Sequence, residues 1–138
     1  MSDIKNELSK KSKYYISKHR MLELRNFCLQ YKEWKRILGT IDGYKEDCSH
    51  ETPINPDYFG LSSVEKLIFR RNEFVHKVWL VEQAAKLADE SLATYVIKGV
   101  TDGFSYDILM ARYEIPCSRG KYYDTYRKFF YILDKMRG

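Results

Sequence analysis

Apolar residues recur at steps of three and four along most of this 138-residue chain, and this spacing predicts α-helices. The longest helix should run from Ser62 or Ser63 to about Asp89, because Ser62 followed by Glu65 forms a capping-box pattern. No run of alternating apolar and polar residues is long enough to predict a strand. The sequence therefore predicts an all-α chain, folded as a compact bundle of about five helices. One apolar stripe of the long helix should face the core, formed by Val64, Leu67, Ile68, Val75, Val78, Trp79, Ala85 and Ala88.

The remaining N-terminal and central elements follow from helix-breaking residues. Residues 14–38 predict a helix with one break, which Gly39 and the pair Asp42-Gly43 should end. An irregular connector should cover residues 43–61, which contain Pro53, Pro56 and Gly60. A short helix should run from Ser91 to Lys98, with Gly99 as its C-cap. We expect two regions, a basic N-terminal region with its connector (1–61) and a C-terminal region (62–138), within one compact domain.

Two helices joined by a short turn are predicted near the C-terminus. A helix capped by a serine should span residues 103–113, and Pro116 should end it because proline disfavours a helical conformation at Ile115. Ser118 can cap a second helix that reaches about Met136. An apolar residue in the turn and a long second helix are typical of a helix-turn-helix. Helical bundles in general also contain such pairs, so a purely structural role stays open.

The second of these helices has two predicted faces. Its apolar residues should pack on the domain, namely Tyr122, Tyr126, Phe129, Phe130, Leu133 and Met136. Its polar residues should face solvent or DNA, namely Lys121, Asp124, Thr125 and Lys128. The positive end of a helix and its free amides favour phosphate, and long basic side chains can reach guanine edges. The candidate DNA-binding residues are Ser118, Arg119, Lys121, Thr125 and Lys128. In the first helix, Met110 should face the partner helix.

The net charge of +5 is divided between two basic ends and an acidic middle. Residues 1–45 hold 11 Lys and Arg against 5 Asp and Glu, residues 46–104 hold 6 against 10, and residues 105–138 hold 7 against 4. This pattern indicates that anionic partners meet the ends, although solvated charged faces would explain it equally well. The basic start, Lys10-Lys11-x-Lys13, is either an arm along the DNA backbone or a frayed terminus.

Other functional classes have little support in the sequence. The spacing of Cys28, Cys48 and Cys117 fits a reducing cytoplasm, and no apolar run could span a membrane. Cys48 and His50 lack a second ligand pair at the spacing of a zinc site. There is no phosphate-binding glycine motif and no nucleophile elbow. We therefore expect a chain without enzymatic activity, cofactor or metal.

Three C-terminal segments carry a resemblance to a known family: residues 99–108, residues 115–119 with an Ile-Pro-x-Ser turn, and residues 122–130 with a Tyr-Tyr pair. They resemble the C-terminal part of RinA- and ArpU-type regulators of late phage transcription, which is similar to the region-4 helix-turn-helix of sigma factors. The resemblance implies a phage or prophage transcriptional regulator in the bacterial cytoplasm. Its partners would be double-stranded DNA and host RNA polymerase or another host protein. Because one helix-turn-helix gives modest specificity, we also expect dimerisation or a partner, and the apolar stripe of helix 63–89 either supplies a homodimer interface or packs in the core. The alternative is a phage protein-binding module that inhibits or redirects a host machine through the acidic segment 46–90, without binding DNA.

Overall fold

The computed structural model describes residues 13–43 and 62–138, and these residues form six α-helices and one short 3₁₀ turn. No strand occurs in these two ranges, so the predicted all-α class is confirmed. None of their helices is long and apolar enough to cross a membrane. Residues 1–12 and most of the predicted connector (44–61) lie outside the described ranges. In chain order the helices are α1 (Lys18–Leu29), α2 (Tyr31–Gly43), α3 (Ser63–Ala88), α4 (Ala93–Asp102), α5 (Tyr106–Tyr113) and α6 (Arg119–Arg137).

The core is built around the contact between α3 and α6. Helix α3 also packs against α2 and α4, and α6 also contacts α1 and α4. To the buried cluster α3 contributes short side chains such as Ala84, Ala85 and Ala88, while α6 contributes large rings. The rings of Tyr126 and Phe129 each lie 5.0 Å from that of Phe130, edge to face, which is a favourable arrangement for aromatic pairs. The predicted packing face of α6 is therefore confirmed.

The N-terminal helical region is divided in two, as predicted, because α1 ends before Gln30 and α2 begins at Tyr31. Two predicted bounds are wrong. Helix α1 begins at Lys18 rather than near residue 14, and α2 continues through Gly39 to Gly43. Gly39 is exposed and a Cβ there would meet nothing within 4 Å, so no neighbouring residue requires glycine at this position.

The predicted bounds of the long helix α3 are confirmed, but its apolar stripe is only half correct. The hydroxyl oxygen of Ser62 accepts the Glu65 amide N–H at 3.1 Å, which fixes the first turn. In the C-terminal half of α3, Val78, Ala85 and Ala88 are buried as expected. In the N-terminal half the stripe residues Val64, Ile68 and Val75 are exposed, and so is Trp79 at the start of the C-terminal half. The partner helices therefore cover less of α3 than its sequence pattern suggests.

Helix α4 ends later than predicted, because Gly99 lies inside it and Gly103 is the C-cap. Gly103 adopts a left-handed conformation with φ of 72°, which glycine allows without steric cost. The reason for Gly99 is close packing, since a Cβ there would lie 2.0 Å from the hydroxyl oxygen of Tyr122 on α6. The predicted start at Ser91 is also wrong, because Ser91 lies in the 3₁₀ turn Glu90–Leu92, which the side chain of Asp89 caps, and α4 begins at Ala93.

Helices α5 and α6 are joined by a short turn, as predicted. The hydroxyl oxygens of Ser105 and Ser118 cap the two helices, and Ile115 in the turn is 2% exposed. The expected position of Met110 is wrong, because its side chain is 42% exposed while Leu109 is fully buried. The first helix is also shorter than predicted and begins at Tyr106. Leu109, rather than a residue one position later, therefore anchors α5 to the core.

Candidate nucleic-acid interface

The first turn of α6 is the exposed end of a helix that is otherwise largely buried. The hydroxyl oxygen of Ser118 accepts the Lys121 amide N–H at 3.2 Å, which gives Ser118 a capping role. Arg119, Gly120 and Lys121 are exposed, and a Cβ on Gly120 would meet nothing within 4 Å. A helix N-terminus carries partial positive charge and unpaired amide groups, so this end of α6 can attract phosphate.

The position of Thr125 differs from the sequence-based prediction. Its side chain is 3% exposed, and its hydroxyl donates to the carbonyl oxygen of Lys121 at 2.9 Å. The hydroxyl is therefore satisfied within the helix itself, and the side chain leaves little surface for a base or a phosphate. The expectation that Thr125 faces solvent is wrong, and we leave it out of the interface.

A groove of about 420 Å³ lies beside the N-terminal half of α6, and we call it the basic groove. Three of the sequence-predicted residues line it, namely Lys121 and Lys128 with exposed surface and Thr125 with a nearly buried side chain. Lys13 from the basic start of the chain lies on the same groove, so the fold brings together cations from its two ends. The full lining consists of Lys13, Tyr14, Ala88, Lys121, Asp124, Thr125, Arg127 and Lys128.

The segment before α1 is held against α6 by aromatic and ionic contacts. The ring centroids of Tyr14 and Tyr131 lie 5.5 Å apart, and the ammonium of Lys13 lies 5.0 Å from the centre of the Tyr14 ring. Slightly further along, Arg20 Nε donates to Asp134 Oδ1 at 2.6 Å, which attaches α1 to the C-terminal half of α6. Lys13 therefore lies at the groove because these contacts fix the path of the chain.

Charge in the basic groove is only partly compensated. Arg127 is paired with Asp124 at 2.9 Å, and Lys121 lies 3.4 Å from Asp89 at the edge of the groove. Within the described part of the chain, Lys13 and Lys128 have no carboxylate within ion-pair distance. The lining thus combines four cationic side chains with one carboxylate, and an anion would restore the balance.

The carboxylate of Asp89 connects this groove to the end of α3. It accepts hydrogen bonds from the Ser91 hydroxyl at 2.6 Å and from the Leu92 amide at 3.3 Å. These bonds, together with the nearby Lys121 ammonium, hold the pKa of Asp89 below its ordinary value. Asp89 therefore stays ionised at neutral pH and attracts Lys121 toward the groove edge.

Arg119 belongs to a different part of the surface. It forms an ion pair with Asp107 of α5, and its guanidinium lies 5.1 Å from the centre of the Tyr106 ring. Two more cations of this neighbourhood also lie over rings, Lys98 over Tyr113 and Arg112 over Phe104. The structure thus separates Arg119 from Lys121 and Lys128, although the three are close in sequence.

Sequence reasoning missed Arg127 as an interface residue. Its position, between the predicted apolar and polar faces of α6, gave no clear assignment to either. In the structure its side chain is largely covered but its guanidinium reaches the groove, where it meets Asp124. An arginine at the border of an apolar face is a signal for such an arrangement, because its long stem packs while its head reaches water.

The described cysteines show no sign of an activated thiol. Cys28 is buried and Cys117 is half-buried, and burial raises the pKa of each thiol. Residues 13–43 and 62–138 contain no group of three His, Cys, Asp or Glu side chains that could hold a metal ion. Cys48, His50 and the nearby carboxylates lie outside these ranges.

Comparison of the chain with protein-family models, with curated proteins and with solved structures gives no match. The resemblance to RinA- and ArpU-type regulators therefore stays a prediction from the C-terminal segments.

Proposed function

We propose that this chain binds double-stranded DNA by holding a phosphate backbone in the basic groove beside α6. The observation that carries this proposal is the position of Lys13, which lies on the same groove as Lys121, Arg127 and Lys128 although it comes from the opposite end of the chain. Clustered lysine and arginine side chains neutralise phosphates and release counterions, which supplies most of the affinity in nonspecific DNA binding.

The geometry of α6 suggests how the duplex would be oriented. Lys121 belongs both to the basic groove and to the exposed first turn, so a phosphate held there would also meet the amide end of the helix. Arg119 lies in the same turn, on its α5 side beside Asp107, and its guanidinium would approach base edges from there. Phosphate contacts would fix the register, and the short exposed turn would read few bases.

A role in transcription rests on the resemblance to phage regulators alone. Within this proposal the chain acts as a phage or prophage transcriptional regulator, with host RNA polymerase as a further partner. The first turn of α6 offers a small reading surface, so dimerisation or a protein partner would be needed for specific recognition.

Fluorescence anisotropy with a labelled duplex tests the DNA-binding proposal. We expect the wild-type chain to bind and the double variant Lys121→Ala/Lys128→Ala to bind at least about tenfold more weakly, because two phosphate contacts are lost. Lys86→Ala is the matched control, since this exposed lysine lies on α3 and outside the groove. No binding by the wild-type chain at low salt, or equal losses in the double variant and the control, would contradict the proposal.

The alternative of a protein-binding module has a weaker structural basis. Its working surface was expected in the acidic segment 46–90, but the described part of that segment, 62–90, holds five cationic and five anionic side chains. The observation that favours this alternative is the exposed apolar surface on α3. A stable complex with a host protein, formed by a chain that does not bind DNA, would support it.

A further inference from the structure

Between Val64 and Trp79, α3 presents apolar side chains to solvent. Val64, Ile68, Val75 and Trp79 are all exposed, and Trp79 is 50% exposed. At roughly 100° of rotation per residue these four side chains lie on one side of the helix, and we call them the α3 stripe. The core-facing residues Val81, Ala84 and Ala88 lie on the opposite side. Helix α3 therefore has two apolar faces, of which the described helices cover only one.

The order of residues in the α3 stripe is self-complementary. Val64 and Trp79 lie at equal distances from the point midway between Arg71 and Asn72, and so do Ile68 and Val75. In an antiparallel pair of α3 helices centred on this point, each Val64 would lie opposite Trp79 of the second copy. Each Ile68 would likewise lie opposite Val75. Such symmetry is what a two-fold interface requires, because the same surface is used on both copies.

The polar residues along one edge of the α3 stripe suit the same pairing. Glu65 and His76 lie on this edge, on either side of the midpoint, and both are exposed. Antiparallel pairing would place the carboxylate of Glu65 near the imidazole of the other copy's His76, so that the ring N–H can donate to the carboxylate. Asn72 would lie beside its counterpart, where two amide groups can exchange hydrogen bonds. Along the other edge Arg71 would meet its counterpart, and we therefore expect a moderate affinity.

We infer that two copies of this chain associate through the α3 stripe as an antiparallel, two-fold dimer. This inference is independent of the proposed DNA binding. The basic groove is lined by Lys13, Tyr14, Ala88 and residues of α6, and Ala88 lies on the core side of α3. Pairing through the opposite side of α3 therefore leaves the groove open on both copies.

Sedimentation velocity over a range of protein concentrations tests the dimer. We expect a concentration-dependent dimer for the wild-type chain, and a dissociation constant at least about tenfold higher for Val75→Glu, because each substitution acts twice at a two-fold interface. Glu73→Lys is the matched control, since it changes the charge of an exposed α3 residue away from the stripe. Circular dichroism checks that both variants stay helical.

Cysteine crosslinking tests the register independently. Asn72→Cys should form a disulfide-linked dimer under mild oxidation with glutathione disulfide, because residue 72 lies next to the two-fold axis. Glu73→Cys should form no more dimer than the wild-type chain, whose own cysteines give the background. The inference would be overturned if the wild-type chain stayed monomeric at all concentrations. It would also be overturned if Val75→Glu and Glu73→Lys weakened the dimer equally, or if positions 72 and 73 crosslinked equally. A monomer that instead forms a complex with a host protein would assign the stripe to that partner.

Discussion

The hydroxyl oxygen of Tyr122 lies against Gly99, so close that a Cβ on the glycine would be only 2.0 Å away. Tyr122 is fully buried, and within the described part of the chain its hydroxyl has no hydrogen-bond partner. Burial also raises the pKa of this phenol, so it stays neutral. The glycine thus permits α4 and α6 to approach each other closely. The contact leaves the buried Tyr122 hydroxyl unsatisfied, which costs stability.

This contact predicts an unusual response to Gly99→Ala. In an ordinary helix interior the change stabilises by about 1 kcal/mol, but here overpacking should lower the free energy of unfolding by about 1–3 kcal/mol. Tyr122→Phe removes the unpaired hydroxyl and should raise stability by roughly 1 kcal/mol. It should also rescue much of the loss in the double variant. Denaturant unfolding of the four proteins measures these effects, and a Gly99→Ala variant more stable than the wild type would contradict them.

Local signals in the sequence predicted the helices well. Ser62, Ser105 and Ser118 each cap a helix as expected, because an N-cap depends on a hydroxyl and on the backbone only three residues away. Gly99 shows where such signals fail. A glycine that ends a helix and a glycine that admits a neighbouring ring look the same in one sequence, and only tertiary packing separates them.

The candidate site was less predictable than the fold. Lys121 and Lys128 lie on the basic groove as components of one helix face, but the inclusion of Lys13 depends on how the chain returns to α6. Thr125 and Arg127 differ from the simple periodic pattern because packing covers a short side chain more readily than the end of a long one. The exposure of the α3 stripe was equally hard to predict, because periodicity shows that a helix has an apolar face but not which partner covers it.

The variant Thr125→Val tests whether Thr125 is structural, as its burial indicates, or contacts DNA, as its sequence position predicts. The hydroxyl of Thr125 is bonded within α6, so its removal should leave the affinity for DNA within about twofold of the wild type. Stability should fall by about 1 kcal/mol, because the carbonyl oxygen of Lys121 loses this donor. Anisotropy titration beside denaturant unfolding checks both values. A tenfold loss of affinity in a folded variant would return Thr125 to the interface.

Asp124→Asn should strengthen DNA binding. The carboxylate of Asp124 competes with phosphate for Arg127, and the amide removes one negative charge from the groove. We expect a severalfold higher affinity at low salt and a smaller gain at high salt, where charges are screened. Glu73→Gln on α3 is the control for net charge. Equal gains in the two variants would show that the groove itself is not the binding surface.

Asp89 should make folding sensitive to acid. Its depressed pKa arises first from the Ser91 hydrogen bond, then from the Leu92 amide and from Lys121. A carboxyl with a lowered folded-state pKa contributes stability above its unfolded pKa, about 3.9, and loses that contribution as the pH falls through the lower folded value. Asp89→Asn can still accept the capping bonds but does not titrate there. We therefore expect this variant to lose less stability than the wild type below about pH 4. Thermal unfolding across pH measures the loss, and identical profiles for the two proteins would contradict this role of Asp89.

The salt dependence of DNA affinity tests the central proposal most directly. If all four cations of the basic groove contact phosphates, the logarithm of the association constant should fall against the logarithm of salt concentration with a slope of about −3.6. Lys128→Ala should reduce the slope to about −2.7, because one contact is lost. A wild-type slope near zero, or an unchanged slope in Lys128→Ala, would contradict phosphate binding in this groove.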